Sequence, residues 1–404
     1  MEIQNLKKLG PGLLFAGAAI GVSHLVQSTR AGADFGFGLV WALLISIILK
    51  YPFFQYGSRF ALATKMSLLD GYYKLGKVYL LIFFIISIGT IFTIQTAVTI
   101  VTASLATTIL GNSQNLVVLS TLIILLCFLM LLFGNYKFLD NLIKIIILAL
   151  TASTLVALLV ALIKNKNSFN FSQVFPYKTS IIFLAALIGW MPAPLDISVW
   201  QSLWIIEKRK SNTISFDEGI FDFNVGYFGT FILGICFLSL GALVMFGSSV
   251  GFSNVGSIFA GQFIELYTTT LGESVYPIIV IAAFTTMFST TLTTLDASPR
   301  SMYKSCQLLF PKTNFLDYKF WLIILSIGTI CIFSFLLDEM GTLVQIATVL
   351  SFITAPFYAY LNLKLVTSNL MPSKHKPSKI LINFSYVGLA FLTLFALVFV
   401  KIII

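Results

Sequence analysis

Histidine is scarce in this chain, with two in 404 residues. One of them, His24, follows Gly21-Val22-Ser23, an interruption in the otherwise apolar stretch from Gly10 to Gly36. An imidazole there could ligate a borderline or soft metal, or take up a proton, since its ordinary pKa is about 6.5. A second interruption, Ile188-Gly189-Trp190-Met191-Pro192-Ala193-Pro194, brings a thioether at Met191 and an acid at Asp196. Two prolines without N–H groups, close behind a glycine, end a helix. Where each helix stops, the carbonyls near Ile20, Gly21, Ile188 and Gly189 lose their helical partners and carry the negative end of a dipole, which suits a cation. Where each resumes, Ser23 suits an N-cap and Asp196 suits the positive first turn. Each residue also has a plainer reading: His24 as an imidazole satisfied by a carbonyl, Met191 as core filler, Asp196 as a dipole partner.

Other polar groups within apolar stretches widen the choice, because ionisable residues in such places are functional candidates by default. Lys50 is either a fixed positive charge standing in for a proton or metal, or a long stem that snorkels to water. His24, Asp196, Lys50 and Gln95 are the candidates for relaying a proton or ion. Ser289 and Thr354 are candidates for lining a pathway. Arg30 and Asp34, at i and i+4, read as a local pair. Thr93, Thr96, Thr99 and Thr102 recur every three residues and suit interhelical hydrogen bonds or a polar path. No nucleophile–base constellation, phosphate loop or dinucleotide fingerprint occurs, so an enzyme is not expected.

The elements that must hold these groups are membrane spans. Hydrophobic residues make up 58% of the chain and charged residues 10%, against about a quarter charged in soluble domains. Apolar runs of bilayer-spanning length recur about eleven times, giving an all-α polytopic protein in one domain, residues 1–404. The first span (Leu9–Asp34) and the sixth (Ser180–Ile206) are the broken ones, and discontinuous helices five spans apart are the signature of a 5+5 inverted repeat. The repeats run about 8–163 and 178–366, with an extra C-terminal helix at about 380–402. Segment Val255–Leu271 reads as an amphipathic helix lying on the outer face, and the eighth span as Ser274–Leu295. Broken backbone at membrane depth must line protein or a water-filled cavity, so the two breaks should meet near the midplane.

The net charge of +10 is a membrane signal more than a nucleic-acid one. One alternating set of loops holds Lys7, Lys8, Lys65, Lys74, Lys77, Lys208, Arg209, Lys210, Arg300 and Lys304, while the other holds only Arg30, Lys164, Lys166, Lys178 and Lys401. By the positive-inside rule the N-terminus is cytoplasmic and, with an odd number of spans, the C-terminus external, in the cell (plasma or inner) membrane. Four cysteines without a CxxC spacing indicate neither zinc ribbon nor disulfide framework, and Cys306 falls in a basic loop. No cleavable signal peptide is expected.

In its motifs the chain resembles the Nramp family of proton-coupled divalent-metal transporters, which has the LeuT-type fold. Gly10-Pro11-Gly12 and Ala31-Gly32-Ala33-Asp34-Phe35-Gly36 flank the first break as in the family. Ser289-Thr290-Thr291-Leu292-Thr293 and Pro356-Phe357 resemble its eighth- and tenth-helix motifs, and Arg59 matches in the second. The resemblance implies a metal site built from first-helix side chains, a sixth-helix carbonyl and a methionine sulfur. Here those positions are Gly21 (an Asp in the family), Ser23, His24 (an Asn), Ile188, Gly189 and Met191. The family's sixth-helix His is Ala193, and third-helix acids are replaced by Gln95 and Val98. The implied function is secondary transport of a divalent cation by alternating access, with weak or altered proton coupling. Losing the carboxylate shifts preference from Mn²⁺ toward Fe²⁺, Co²⁺, Ni²⁺, Cu⁺ or Zn²⁺. The alternatives are a same-fold carrier of Mg²⁺ or a small organic molecule, the small Gly21 enlarging the cavity, and a non-transporting sensor. No cofactor is expected beyond the carried metal and a co-transported proton. The partners expected are metal ion and lipid bilayer, with no nucleic acid and no obligatory protein partner.

Overall fold

The computed structural model describes residues 10–111, 115–133, 136–164, 171–175, 181–210, 214–247, 252–313, 315–336 and 340–403. Lys7, Lys8, Lys166 and Lys178, and the expected starts of both repeats, lie outside these residues. The first span is divided into α1 (Pro11–Ala19) and α2 (Ser23–Phe35), bent by 47°. Then come α3 (Val40–Thr64), α4 (Leu68–Leu75), α5 (Lys77–Leu110), α6 (Leu116–Phe133) and α7 (Tyr136–Lys164). The sixth span is divided into α8 (Ile181–Trp190) and α9 (Ile197–Arg209). It is followed by α10 (Phe216–Val244), α11 (Gly256–Leu271), α12 (Tyr276–Leu309), α13 (Tyr318–Leu336), α14 (Met340–Thr367) and α15 (Lys379–Ile403). Among the described residues, seven helices are individually long and apolar enough to cross a membrane and the bent pair makes an eighth. Shorter apolar helices at Leu148–Lys164, Ile181–Trp190 and Tyr318–Phe333 complete the expected order.

Two boundaries differ from hydropathy. The seventh span starts earlier, at Phe216, because Ser215 and Glu218 form a capping box that satisfies the first N–H groups. The eighth continues to Leu309 through polar sequence. Asp296 neutralises Arg300 one turn on, at 2.7 Å, and accepts from Tyr318 at 2.8 Å. Cys306 is therefore a buried helical residue and not a loop thiol. Helix α11 buries Phe259, Phe263, Ile264 and Tyr267 and leaves Glu265 exposed.

Helix α10 is the spine for the first span. Asp222, Gly226, Thr230 and Gly234 recur every four residues and so share one face. The Asp222 carboxylate accepts from Gly10 N and Gly12 N at 2.9 and 2.8 Å, a negative charge on the positive end of α1. A Cβ on Gly226 would lie 2.0 Å from Gly12 O, and one on Gly32 1.9 Å from Leu238 O. Gly12 and Gly32, one from each first-span motif, are thus sites of backbone-to-backbone contact with α10. Asp222→Asn should keep the shape but lower stability by about 1–2 kcal/mol, because charge-assisted bonds become neutral ones. An unchanged thermal midpoint in detergent would remove Asp222 from this role.

Candidate solute site at the two helix breaks

At the first break the Ser23 and His24 side chains and the carbonyls of Ile20 and Gly21 find partners inside the protein. Ser23 Oγ donates back to Ala19 O at 2.6 Å and reaches Pro192 O of the sixth span at 3.4 Å. It does not cap, contrary to expectation: α2 opens as a π-helix over Ser23–Ser28, with Val22 in the cap position. His24 is fully buried. Its Nδ1 lies 2.7 Å from Ser23 Oγ and 3.0 Å from Ala19 O, and its Nε2 lies 2.9 Å from Thr230 O. Gly21 O accepts from the amides of His24 and Leu25 at 3.1 and 2.9 Å. Thr290 Oγ1 donates to Gly17 O and Ile20 O at 3.2 and 3.3 Å. A Cβ on Gly21 would meet Thr290 Cγ2 and Oγ1 at 2.8 Å. The small residue therefore does not enlarge a cavity; the threonine fills the room.

The sixth break is satisfied differently. Lys50, on α3, does not snorkel: its side chain is 0% exposed. Its ammonium donates to Ile188 O, to Gly189 O at 2.8 Å and to Met191 O at 3.0 Å. Ser46, one turn earlier, donates to Ile188 O at 3.0 Å and Met191 O at 2.6 Å. The carbonyls expected to be open to a cation already hold one belonging to the protein. Gly189 permits close packing, since its Cβ would lie 2.6 Å from Thr348 O on α14.

The two breaks still converge. Ser28 Oγ donates to Met191 Sδ at 3.4 Å, linking α2 to the sixth span. A Cβ placed on Gly234 would have Met191 Sδ at 3.5 Å and His24 Cδ2 at 3.8 Å. Sulfur and imidazole thus approach one point, and α10 contributes no side chain there. Among the described residues no three His, Cys, Asp or Glu side chains gather as a metal cluster.

The remaining candidates are more spread out. Asp196 heads α9 without capping it, and its Oδ1 has no hydrogen-bond partner. Gln95 Nε2 donates to Thr291 O at 3.3 Å and to Thr99 Oγ1 at 3.2 Å, while its Oε1 is unpartnered. Ser289 Oγ is buried and unpartnered, as are Thr293 Oγ1, Ser298 Oγ and both amide atoms of Gln201. Thr354 Oγ1 is turned to its own helix, bonding Leu350 O at 3.0 Å and Ser351 O at 3.2 Å. In the threonine series on α5, Thr96, Thr99 and Thr102 bond back to the carbonyls four residues earlier, and Thr102 also meets Thr291 Oγ1 at 2.8 Å. Arg30 donates to Asn254 Oδ1 at 3.2 Å and interacts by charge with Asp34, the expected local pair.

A cavity lies toward each end of the sixth span. One, of about 580 Å³, is lined by Trp204 and Glu207 near the end of α9, and by Arg300 and Lys304 of α12. The other, of about 190 Å³, is lined by Phe183 and Ala186 of α8, and by Gln27 and Arg30 of α2. Asp196, just before α9, and Gln201, on it, come between the break and the cavity-lining end of that helix; Ser289, Thr293 and Ser298 precede Arg300 along α12. Buried polar atoms without partners are costly unless water or a solute meets them.

Ser28, Ser46, Thr230, Gly234 and Thr290 were not singled out at the breaks by sequence reasoning. The spacing of four from Asp222 to Gly234 was the available signal. Serines and threonines in apolar helices give none, because most bond their own backbone.

Two broken spans back to back, with a cavity toward each end of one of them, define a membrane transporter of the discontinuous-helix class. The chain belongs to the Nramp family: the model described as natural resistance-associated macrophage protein-like matches residues 12–401. An uncharacterized protein of Pasteurella multocida (strain Pm70) is 37% identical over 401 residues, covering 97% of this chain and 91% of that one. A histidine-to-alanine mutant of the Eremococcus coleocola manganese transporter has a similar structure. Its TM-score is 0.72 at 14% identity, over 96% of this chain and 85% of that one. The same transporter with an aromatic bis-isothiourea compound gives 0.69 at 16% identity, over 98% and 86%. The fold is LeuT-like.

Proposed function

We propose that the protein is a secondary transporter that moves a divalent metal cation across the cell membrane by alternating access. The observation that carries this reading is the convergence of Met191 Sδ and His24 on Gly234, which has no side chain of its own, between two broken spans. Family membership supports it, and the structurally similar Eremococcus coleocola protein is named a manganese transporter. A thioether and an imidazole favour Fe²⁺, Co²⁺, Ni²⁺, Cu⁺ or Zn²⁺ over harder ions. To ligate through Nε2, the imidazole exchanges Thr230 O for the ion. The unpartnered atoms of Asp196, Gln201, Ser289 and Thr293 supply stepping points toward the larger cavity. That cavity is lined by Lys210, Arg300 and Lys304, and the positive-inside rule supports a cytoplasmic opening for it, with the N-terminus inside and the C-terminus outside. His24 and Asp196 are the groups for any proton coupling, which we take to be weak because the family's sixth-helix His is Ala193 and its third-helix acids are Gln95 and Val98 here.

The test is metal uptake into proteoliposomes with a pH dye in the lumen. Wild type should show saturable flux of at least one of these ions. Met191→Ala and His24→Ala should each lower it about tenfold, the loss of roughly 1.4 kcal/mol of binding. Undiminished flux in both folded variants would sink the assignment. Strong lumenal acidification that survives His24→Ala and Asp196→Asn would sink the coupling assignment. Lys50 on the Ile188 carbonyl, which occupies one of the ligands expected for a transition metal, favours a second reading, a carrier of Mg²⁺ or a small organic solute, although Thr290 fills the space that Gly21 was expected to open for it. No flux of any transition metal, with uptake of such a solute, would establish it.

A further inference from the structure

We infer that the Lys50 ammonium is the resident cation of the sixth-span break, a tethered ion in a carbonyl cage that would otherwise take a free alkali cation. Three observations meet. An ammonium has three donors, and Lys50 faces three carbonyls, those of Ile188, Gly189 and Met191. The group is wholly buried, and among the described residues no carboxylate forms an ion pair with it. Its charge is therefore balanced by carbonyl dipoles and by the negative end of α8, the way backbone oxygens in a filter replace the hydration shell of an ion. Ser46 donates into the same cage from the preceding turn, so α3 presents both groups to the break.

The arrangement has a consequence for ion dependence. Helix α8 ends with several carbonyls that have no helical partner, and at membrane depth each must be met internally. A soluble ion could meet them, but the break would then hold its shape only when that ion was present. A lysine reaching in from α3 makes the requirement independent of the medium. It also denies the Ile188 carbonyl to any incoming cation until the ammonium moves, so solute binding at Met191 and occupancy of the cage by Lys50 compete for neighbouring backbone. This inference does not rest on which solute is carried.

The experiment is thermal unfolding of the full-length protein in detergent, in choline, sodium and potassium chloride at equal ionic strength. Wild type should give the same midpoint in all three, within about 1 °C. Lys50→Ala opens the cage. Its midpoint should fall in choline and recover by about 3 °C or more, saturably, in sodium or potassium, as expected when an ion binds only the folded state. Lys50→Met fills the space without the charge and should fall with no response to either ion. A Lys50→Ala protein indifferent to both ions would overturn the inference, as would a wild type that responds as strongly. If Lys50→Ala cannot be purified, Lys50→Arg and Lys50→Met decide. A stable arginine variant beside an unstable methionine variant supports a resident charge; the two behaving alike overturns it.

Discussion

Gly234→Leu should abolish solute flux while the protein still folds, and Gly234→Ala should be tolerated. The difference comes from how much room each side chain needs. The nearest atoms to a Cβ at this position are Met191 Sδ at 3.5 Å, Leu43 Cδ1 at 3.7 Å and His24 Cδ2 at 3.8 Å, all ordinary contacts, so a methyl group fits. Leucine adds three further carbons beside the sulfur and the imidazole, the place proposed above for the solute. Methionine is flexible and can yield, which preserves the fold but turns the sulfur away. A fall in flux of about 100-fold or more, equivalent to roughly 2.7 kcal/mol, is expected for leucine, with a thermal midpoint close to wild type. Flux into proteoliposomes reads the first quantity and detergent unfolding the second. Normal flux in Gly234→Leu would place the solute elsewhere, whatever the ion.

The largest expected effect on stability is at Gly226. A valine there would put its Cβ 2.0 Å from Gly12 O and 2.7 Å from Gly12 C. Both are backbone atoms, held by the Asp222 bonds to Gly10 N and Gly12 N, so no flexible side chain can give way. Separating the two helices to make room would also uncover Phe15, which packs on Tyr227 with ring centroids 5.8 Å apart. The cost should exceed about 4 kcal/mol, beyond ordinary overpacking, and folded yield by size-exclusion chromatography should collapse. Gly229→Ala is the control: nothing lies within 4 Å of its Cβ, and alanine in a helix is favoured over glycine by about 1 kcal/mol. Equal yields for Gly226→Val and Gly229→Ala would contradict the packing described for α1 and α10.

The positions of the breaks were legible because proline, glycine and hydropathy are local signals. Gly21-Val22-Ser23-His24 and Met191-Pro192 mark helix ends whatever surrounds them. What fills the breaks was not legible, because the partners come from remote parts of the chain. Lys50 lies 138 residues from Ile188 and Thr290 lies 270 from Ile20, and no periodicity links them. The carbonyls were read as open ligands since a helix end in isolation is open; tertiary contacts closed it. Lys50 was read two ways because its distance from the membrane surface does not say whether an acceptor waits inside. The polar end of the eighth span was misjudged for a related reason. Hydropathy counts Asp296 and Arg300 as two charges, while the helix holds them as one neutral pair.

The contact between the first span and α10 also limits how the molecule can rearrange. Where Gly12 meets Gly226 and Thr29 meets Gly241, main chain lies on main chain with no intervening layer of rotatable side chains to act as bearing. Sliding one past the other would drive carbonyl oxygens into Cα positions, so the two must travel as a single lever. The pivot for any rocking motion therefore falls at seams cushioned by longer residues, such as the edge-to-face contacts of Phe352 with Phe395 and Phe399, and not along the glycine weld.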